Sequence, residues 1–255
     1  MPPRRSTAPR ATLLREFELI ERLHRQFGRT GRSVHKGIGD DAAVLAPTKE
    51  ALLLLTTDLL AEGIHFDRRW VTWEDVGYKA AVANLSDIAA MGGMPTHLVV
   101  AMAIPRTCTA ADIRNLYRGL ARASRPYRVD LVGGDTSASR HGVFLSVALT
   151  GLVEPGRVLT REGARPGDLL YVTGTLGDSL AGLLLLRALR GANRTGRRAR
   201  QDTAARYLIR RHLRPTPRIP EGRLLSRYRL ATAAIDVSDG LSGDLAHVCR
   251  ASGVG

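Results

Sequence analysis

Apolar residues along the chain follow two spacings, one typical of helices and one typical of strands. Leu13, Phe17, Ile20 and Phe27 recur at helical spacing with charged residues between them, which predicts an amphipathic helix that ends at Gly28. The same spacing returns at four later places. Helices are therefore also predicted over residues 74–91, 112–124, 177–189 and 242–251.

Short apolar runs bounded by glycine, proline or aspartate predict strands. The run at residues 51–55 enters the polar sequence Thr56-Thr57-Asp58, so we expect a buried strand that ends there. In layered α/β proteins, ligands bind where strands end in this way. Further strands are predicted over residues 97–104, 129–132, 143–153, 168–173 and 230–235.

The turn sequence Glu154-Pro155-Gly156 marks a domain boundary. It divides the 255 residues into a domain at 1–155 and a second domain at 156–255. The last predicted helix is followed by Ser252-Gly253-Val254-Gly255 and no closing strand, so we expect the second domain to be incomplete in this sequence.

Charge and cysteine content narrow the classes of function. The formal net charge is +14, and most of it comes from arginines, whose densest cluster runs from residue 187 to 214. That cluster lacks the interleaved aromatic residues of a single-strand binder, which argues against nucleic acid as a partner. We interpret the cluster as a solvated basic insert or as an attractor of anionic small substrates. Cys108 and Cys249 lack the spacing of a disulfide framework or zinc site. The apolar runs are too short to span a membrane, which favours a cytoplasmic protein.

Aspartates follow short strands or glycines at four places. They occur in Gly39-Asp40-Asp41, Thr57-Asp58, Gly133-Gly134-Asp135 and Asp236-Val237-Ser238-Asp239-Gly240, and Asp87 lies late in a predicted helix. One such aspartate alone is usually a turn or cap residue. Several carboxylates at about 4 Å would repel each other by roughly 4 kcal/mol per pair, so gathering them requires cations. Because Mg²⁺ prefers oxygen ligands, including phosphates, the sequence predicts a magnesium–nucleotide site for phosphoryl transfer.

The motifs around these aspartates resemble the thiamine-monophosphate kinase family, within the superfamily of aminoimidazole ribonucleotide synthetase and selenophosphate synthetase. The resemblance covers nearly the whole chain. It rests on Gly37-Ile38-Gly39-Asp40-Asp41-Ala42-Ala43, Glu62-Gly63-Ile64-His65-Phe66, Asn84-Leu85-Ser86-Asp87-Ile88-Ala89-Ala90-Met91-Gly92, Gly133-Gly134-Asp135-Thr136, Leu159-Thr160-Arg161-Glu162-Gly163-Ala164 and Ile235-Asp236-Val237-Ser238-Asp239-Gly240-Leu241.

This resemblance implies an α/β (α+β), two-domain synthetase-like fold. Its N-terminal mixed sheet with helices would pair in a homodimer, and its C-terminal α/β domain would be incomplete here. It also implies transfer of the ATP γ-phosphate to thiamine monophosphate by in-line attack, assisted by several Mg²⁺ ions. The implied metal ligands are Asp41, Thr56, Thr57, Asp58, Asp87, Asp135, Asp236 and Asp239. The implied ATP contacts are Tyr117, Gly134, Asp135, Arg161 and Ser238, and His65 is the implied substrate contact.

Two other interpretations remain open on the sequence. A selenophosphate synthetase would be expected to carry a reactive Cys or selenocysteine near its N-terminus, whereas the first cysteine here is Cys108. A non-catalytic basic binding protein on the same scaffold would account for the charge. The resemblance assigns no catalytic side chain, because alignment and metal charge would carry the reaction, and it leaves Asp40 as a lesser ligand or turn residue.

Overall fold

The computed structural model describes residues 34–36, 40, 42–45, 50–189 and 202–255. The amphipathic helix predicted over residues 13–27 and the predicted metal ligand Asp41 lie outside these residues. No helix within the described ranges is both long and apolar enough to cross a lipid bilayer.

A six-stranded mixed sheet forms the centre of the N-terminal half. Only β4 and β5 pair in parallel, and the other neighbours are antiparallel. The spatial order is β1-β2-β3-β6-β4-β5. The strands are β1 (Val34–Lys36), β2 (Ala43–Leu45), β3 (Leu52–Ala61), β4 (Met94–Ile104), β5 (Asp130–Ala138) and β6 (Phe144–Val153).

Helices cover one face of this sheet and make up half of the described residues after β6. The first two each begin with a capping box, in which Thr72 pairs with Asp75 and Thr109 with Asp112. The helices are α1 (Trp73–Ala90), α2 (Ala110–Ser124), α3 (Asp178–Ala188), α4 (Thr203–Leu213), α5 (Ile219–Tyr228) and α6 (Leu241–Ser252).

Strands β3, β4 and β6 are buried on the helix side and open on the other, whereas β5 is exposed along its whole length. Leu54 and Thr56 of β3 are buried beneath α1, whereas Leu55 and Thr57 are exposed on the opposite face. Helices α1 and α2 approach backbone to backbone, because a Cβ atom on Gly77 would lie 1.9 Å from the carbonyl oxygen of Leu116. The core therefore lies between the sheet and the α1–α2 pair.

The structure corrects two expected strand ends. Strand β3 does not stop at Leu55 but continues through Thr56-Thr57-Asp58, with Asp58 opposite Val147 of β6. The sequence Gly133-Gly134-Asp135 is not a turn either, since it lies within β5 and pairs with β4. Continuous ladder hydrogen bonds to a neighbouring strand outweigh the local preference of these residues for turns.

The second half departs further from expectation. Residues 168–173 and 230–235, predicted as strands, are not strands; within the described part of the chain no strand lies beside either segment to pair with it. Tyr171 consequently remains 85% exposed. Conversely, part of the predicted solvated insert forms α4, which the Asp202 side chain caps and which packs on α3. Helix α5 follows it, although no helix was predicted there.

Candidate active site

Thr56 and Asp87 join the sheet to α1. The Thr56 hydroxyl donates a hydrogen bond to Asp87 Oδ2. Asp87 lies in the last turn of α1, where the helix dipole disfavours a negative charge. The hydroxyl donor offsets part of that cost, and a cation beside the pair would offset more.

The neighbouring residue, Ser86, reaches the second half of the chain. Its hydroxyl donates to Asp236 Oδ2 at 2.8 Å, although 150 residues separate the two in sequence. Two consecutive residues of α1 thus bring oxygen atoms of β3 and of the Asp236 loop to the same end of the helix.

Asp58 is a desolvated carboxylate beside a histidine. Burial raises the pKa of Asp58, and the nearby His65 lowers it by a smaller amount. His65 Nδ1 accepts the backbone N–H of Ala61 at 2.9 Å, which orients the ring. Burial disfavours the charged form of this carboxylate, so a bound cation would stabilise that form.

A buried acid shapes the loop that carries Ser238 and Asp239. Asp244, only 5% exposed in the first turn of α6, accepts the backbone N–H groups of Ser238 and Gly240, each at 3.1 Å. Gly240 has φ +116, a conformation that favours glycine. Asp244 therefore fixes the backbone of this loop, while the side chains of Ser238 and Asp239 are exposed.

Arg161 lies against the glycine–aspartate motif near the start of the chain. Its backbone N–H donates to Asp40 Oδ2 at 3.3 Å, and its Nε lies 3.9 Å from Asp40 Oδ1. The Asp40 side chain is fully buried, and it contacts the arginine that is predicted to bind ATP. Ser252 of α6 donates to the carbonyl oxygen of Arg161 at 3.0 Å and fixes its backbone.

The remaining predicted site residues lie apart from this group. Asp135 pairs with the exposed Ala101, whereas Asp58 pairs with the buried Val147, so the two carboxylates face opposite sides of the sheet. Strands β3 and β5 are also three strand spacings apart, about 14 Å. Thr57 lies on the open face, and Tyr117 packs against the core.

Gly134 has its own steric reason to be glycine. A Cβ atom there would lie 2.1 Å from the carbonyl oxygen of Val100, so no other residue fits without moving β4. Its predicted contact with ATP, like that of Tyr117 and Ser238, stays a prediction.

The donor set suits Mg²⁺ bound together with phosphates rather than alone. Among the residues that the structure describes, no group of three or more acidic, His or Cys side chains is close enough to hold a metal. Yet the oxygens of Asp58, Asp87 and Asp236 are hard donors, and buried Asn84 Oδ1, one turn before Asp87, has no hydrogen-bond partner among the described residues. Mg²⁺ usually takes only a few carboxylates and completes its shell with water and substrate phosphates.

Ser86, Asp244 and the Asp40–Arg161 contact were not assigned these roles from the sequence. Ser86 adjoins Asp87 within one motif, which was an available signal. The role of Asp244 depends on the turn geometry before α6, for which the sequence offers no comparable signal.

Family comparisons define the class. Residues 39–153 match the model of the AIR synthase related protein N-terminal domain, and residues 165–255 match the corresponding C-terminal domain. The chain is therefore an AIR synthase related protein. Its mixed sheet is covered by helices on one face, and aspartates lie where the two halves meet.

Individual relatives narrow this class. Thiamine-monophosphate kinase of Bacillus subtilis (strain 168) is 38% identical over 242 residues, 93% of this chain and 70% of the relative. The enzyme of Escherichia coli (strain K12) is 42% identical over 240 residues, 94% of this chain and 70% of the relative. The structure of AaThiL complexed with AMPPCP and TMP matches with a TM-score of 0.83 at 38% identity, over 97% of this chain and 74% of that one. The chain belongs to the thiamine-monophosphate kinase family, which confirms the resemblance and the fold class.

Proposed function

We propose that the chain phosphorylates thiamine monophosphate with ATP, giving thiamine diphosphate and ADP. The observation that carries the proposal is the likeness to thiamine-monophosphate kinases along almost the whole chain. AaThiL, whose fold this chain shares, holds both AMPPCP, an ATP analogue, and TMP. The chain is accordingly an ATP-dependent kinase of this family.

Mg²⁺ is the proposed metal. Asp58, Asp87 and Asp236 would hold it on the helix side of the sheet, with Asp239 on the neighbouring loop. The metal would neutralise the charge of the two phosphate groups as they approach each other. Thr56 lies with this group through its hydrogen bond to Asp87, whereas the predicted ligands Thr57 and Asp135 lie on the open face and would not share the same ion. Asp41 stays a predicted ligand.

The side chains of the chain would align the reactants rather than move protons. An attacking phosphate oxygen is already anionic, so no general base is required. Arg161 is permanently charged, and its contact with buried Asp40 limits the positions in which it can meet a phosphate. The loop held by Asp244 presents Ser238 to the nucleotide, and His65 contacts the substrate.

A homodimer formed through the open sheet face is part of the proposal. Leu55, Leu59, Val99, Phe144 and Leu152 on this face are 40–56% exposed. Contiguous apolar surface of this kind usually marks an interaction site. Thr57 and Asp135 lie on the same face, so a second protomer would cover these two predicted ligands.

Two further assignments complete the proposal. We place the boundary between the domains at residues 155 and 156, just after β6 ends. We place the protein in the cytoplasm, because its co-substrate ATP is abundant there and the cysteines Cys108 and Cys249 are both free thiols.

The experiment is incubation of the purified protein with Mg-ATP and thiamine monophosphate, followed by separation of the thiamine phosphates. We expect thiamine diphosphate from the wild type, and at least a hundredfold less from Asp58→Asn and Asp239→Asn. Asp130→Asn, an exposed aspartate at the start of β5, is the matched control and should keep full activity. Absence of product from the wild type, or equal activity in all variants, would refute the proposal.

A further inference from the structure

A cavity of about 1030 Å³ lies on the helical side of the molecule, between α4 and the first turns of α1. We call it the arginine groove. Its lining includes Trp70, Asp75, Arg122, Arg206, Arg210 and Arg214.

Two of these arginines are already neutralised. Arg122 donates to Glu74 at 2.9 Å. Arg214 donates to Asp75 at 2.6 Å and lies 3.6 Å from Glu74. These four side chains form a network in which the charges balance.

Arg206 and Arg210 are different. Within the described part of the chain, neither side chain has a carboxylate partner. They lie one turn apart on α4, where like charges repel each other. The stretch that precedes α4 adds no countercharge, since residues 190–201 contain five arginines and no acid.

The groove is separate from the aspartate site. Asp75 lines the groove, and Asp87 lies twelve residues later on the same helix, which corresponds to about 18 Å along its axis. A ligand in the groove would therefore leave the phosphate-transfer residues free.

We propose that the arginine groove binds a small polyphosphate anion, with Arg206 and Arg210 as its main contacts. Guanidinium groups bind phosphate through paired N–H donors, and side chains one helical turn apart have Cβ atoms about 5–6 Å from each other, which linked phosphate groups can bridge. The cavity has the size of a small-molecule site. The unbalanced charge of the two arginines selects an anion.

Tryptophan fluorescence can read this site directly. The chain has two tryptophans, and Trp70 lines the groove while Trp73 begins α1 beside it. The probe is tripolyphosphate, added to the protein in EDTA so that metal-dependent binding at the aspartate site is absent. The titration is thus independent of kinase activity, and its failure would leave the proposed function untouched.

We expect a saturable fluorescence change and a higher melting temperature for the wild type. Arg206→Gln with Arg210→Gln should weaken binding at least tenfold. The matched control is Arg114→Gln with Arg118→Gln, which removes the same charge at the same spacing from the exposed side of α2 and should bind like the wild type. Both double variants should show the circular dichroism of the wild type, because all four side chains are exposed.

Three results would overturn the proposal. One is no saturable change with the wild type. Another is a lack of specificity, seen either as equal weakening in the two double variants or as equal binding of sulfate at matched ionic strength. The third is a single-stranded oligonucleotide that binds more tightly than tripolyphosphate and loses that binding in the Arg206–Arg210 variant, which would make the groove a nucleic-acid surface.

Discussion

The Ser86 hydroxyl donates to Asp236 Oδ2 at 2.8 Å and so ties α1 of the N-terminal half to a loop of the C-terminal half. Asp236 is one of the predicted metal ligands, and Ser86 adjoins another, Asp87. This hydroxyl therefore helps to place the Asp236 carboxylate beside Asp87.

Ser86→Ala should change the metal requirement of the enzyme. Loss of the donor costs about 0.5–1.5 kcal/mol and removes one of the contacts that orient Asp236, so the Mg²⁺ concentration for half-maximal activity should rise severalfold. Tyr127→Phe is the control, because the Tyr127 hydroxyl also links the halves, donating to the carbonyl oxygen of Pro217 at 3.3 Å. Mg²⁺ titrations that move equally in both variants would contradict a specific role for Ser86.

Asp58→Asn should stabilise the metal-free protein at neutral pH. Burial raises the pKa of Asp58 in the folded state, so its contribution to stability is fully present below its unfolded pKa and is lost as pH rises through the folded pKa. Removing the charge removes that loss, and the advantage of the variant should vanish below about pH 4. Melting curves in EDTA across this range test the sign, and Mg²⁺ should then raise the melting temperature of the wild type more than that of the variant.

Asp244→Ala should damage nucleotide binding through the backbone. The change leaves the N–H groups of Ser238 and Gly240 without their buried acceptor, at a cost of about 2–3 kcal/mol. We expect lower stability in urea and a KM for ATP raised more than the KM for thiamine monophosphate. Asp244→Asn keeps one acceptor oxygen and should recover part of both losses, and a uniform fall in kcat alone would argue against loop positioning.

Stability should fall in mild acid because of His212. Burial, followed by the charge of Lys79, lowers the pKa of His212 to about 4, although Ser179 acts in the opposite direction. The unfolded chain takes up a proton near pH 6.5 and the folded chain does not, so stability is lost as pH falls from about 6.5 toward about 4. The loss should be about 1–2 kcal/mol, since the ring is only half-buried. Urea unfolding of His212→Gln should be flatter over this window than that of the wild type.

Leu59→Lys should convert a dimer to a monomer. Leu59 is 56% exposed on the open sheet face, and a charge there would have to be buried at the proposed interface. Light scattering after size exclusion gives the mass. Leu180→Lys, on the exposed side of α3 and 62% exposed, is the control and should leave the mass unchanged.

The elements foreseen from the sequence are those whose signals are local. Helices α1 and α2 begin within two residues of their predicted starts, because the apolar spacing lies within each segment and the capping threonine lies directly before each helix. The extent of β3 and β5 could not be foreseen in this way, because their polar and glycine residues are extended only through pairing with β6 and β4. In α4 the arginines obscured the apolar positions, of which Ala205 is buried.

The sequence predicted which residue types form the candidate site, but it did not predict how they are arranged in space. Aspartates in glycine-rich motifs indicated a phosphate and metal site. Asp87 and Asp236 do lie at the same end of α1, because Asp236 contacts Ser86, the residue before Asp87. The separation of Asp58 from Asp135 depends on strand order, which has no local signal in the sequence. The burial of Asp40 against Arg161 likewise depends on contacts between segments 121 residues apart.

Gly77 and Gly119 leave no side chain between α1 and α2 where the two backbones touch, since a Cβ atom on Gly119 would lie 2.0 Å from the carbonyl oxygen of Glu74. Because the two backbones are in direct contact, neither helix can move toward the other at this point. A methyl group added at Gly77 would tilt α1 and displace Ser86 and Asp87, about 15 Å away along the axis. The position of the α1 end that carries Ser86 and Asp87 consequently depends on the packing near its opposite end, where Gly77 and Gly119 lie outside the candidate site.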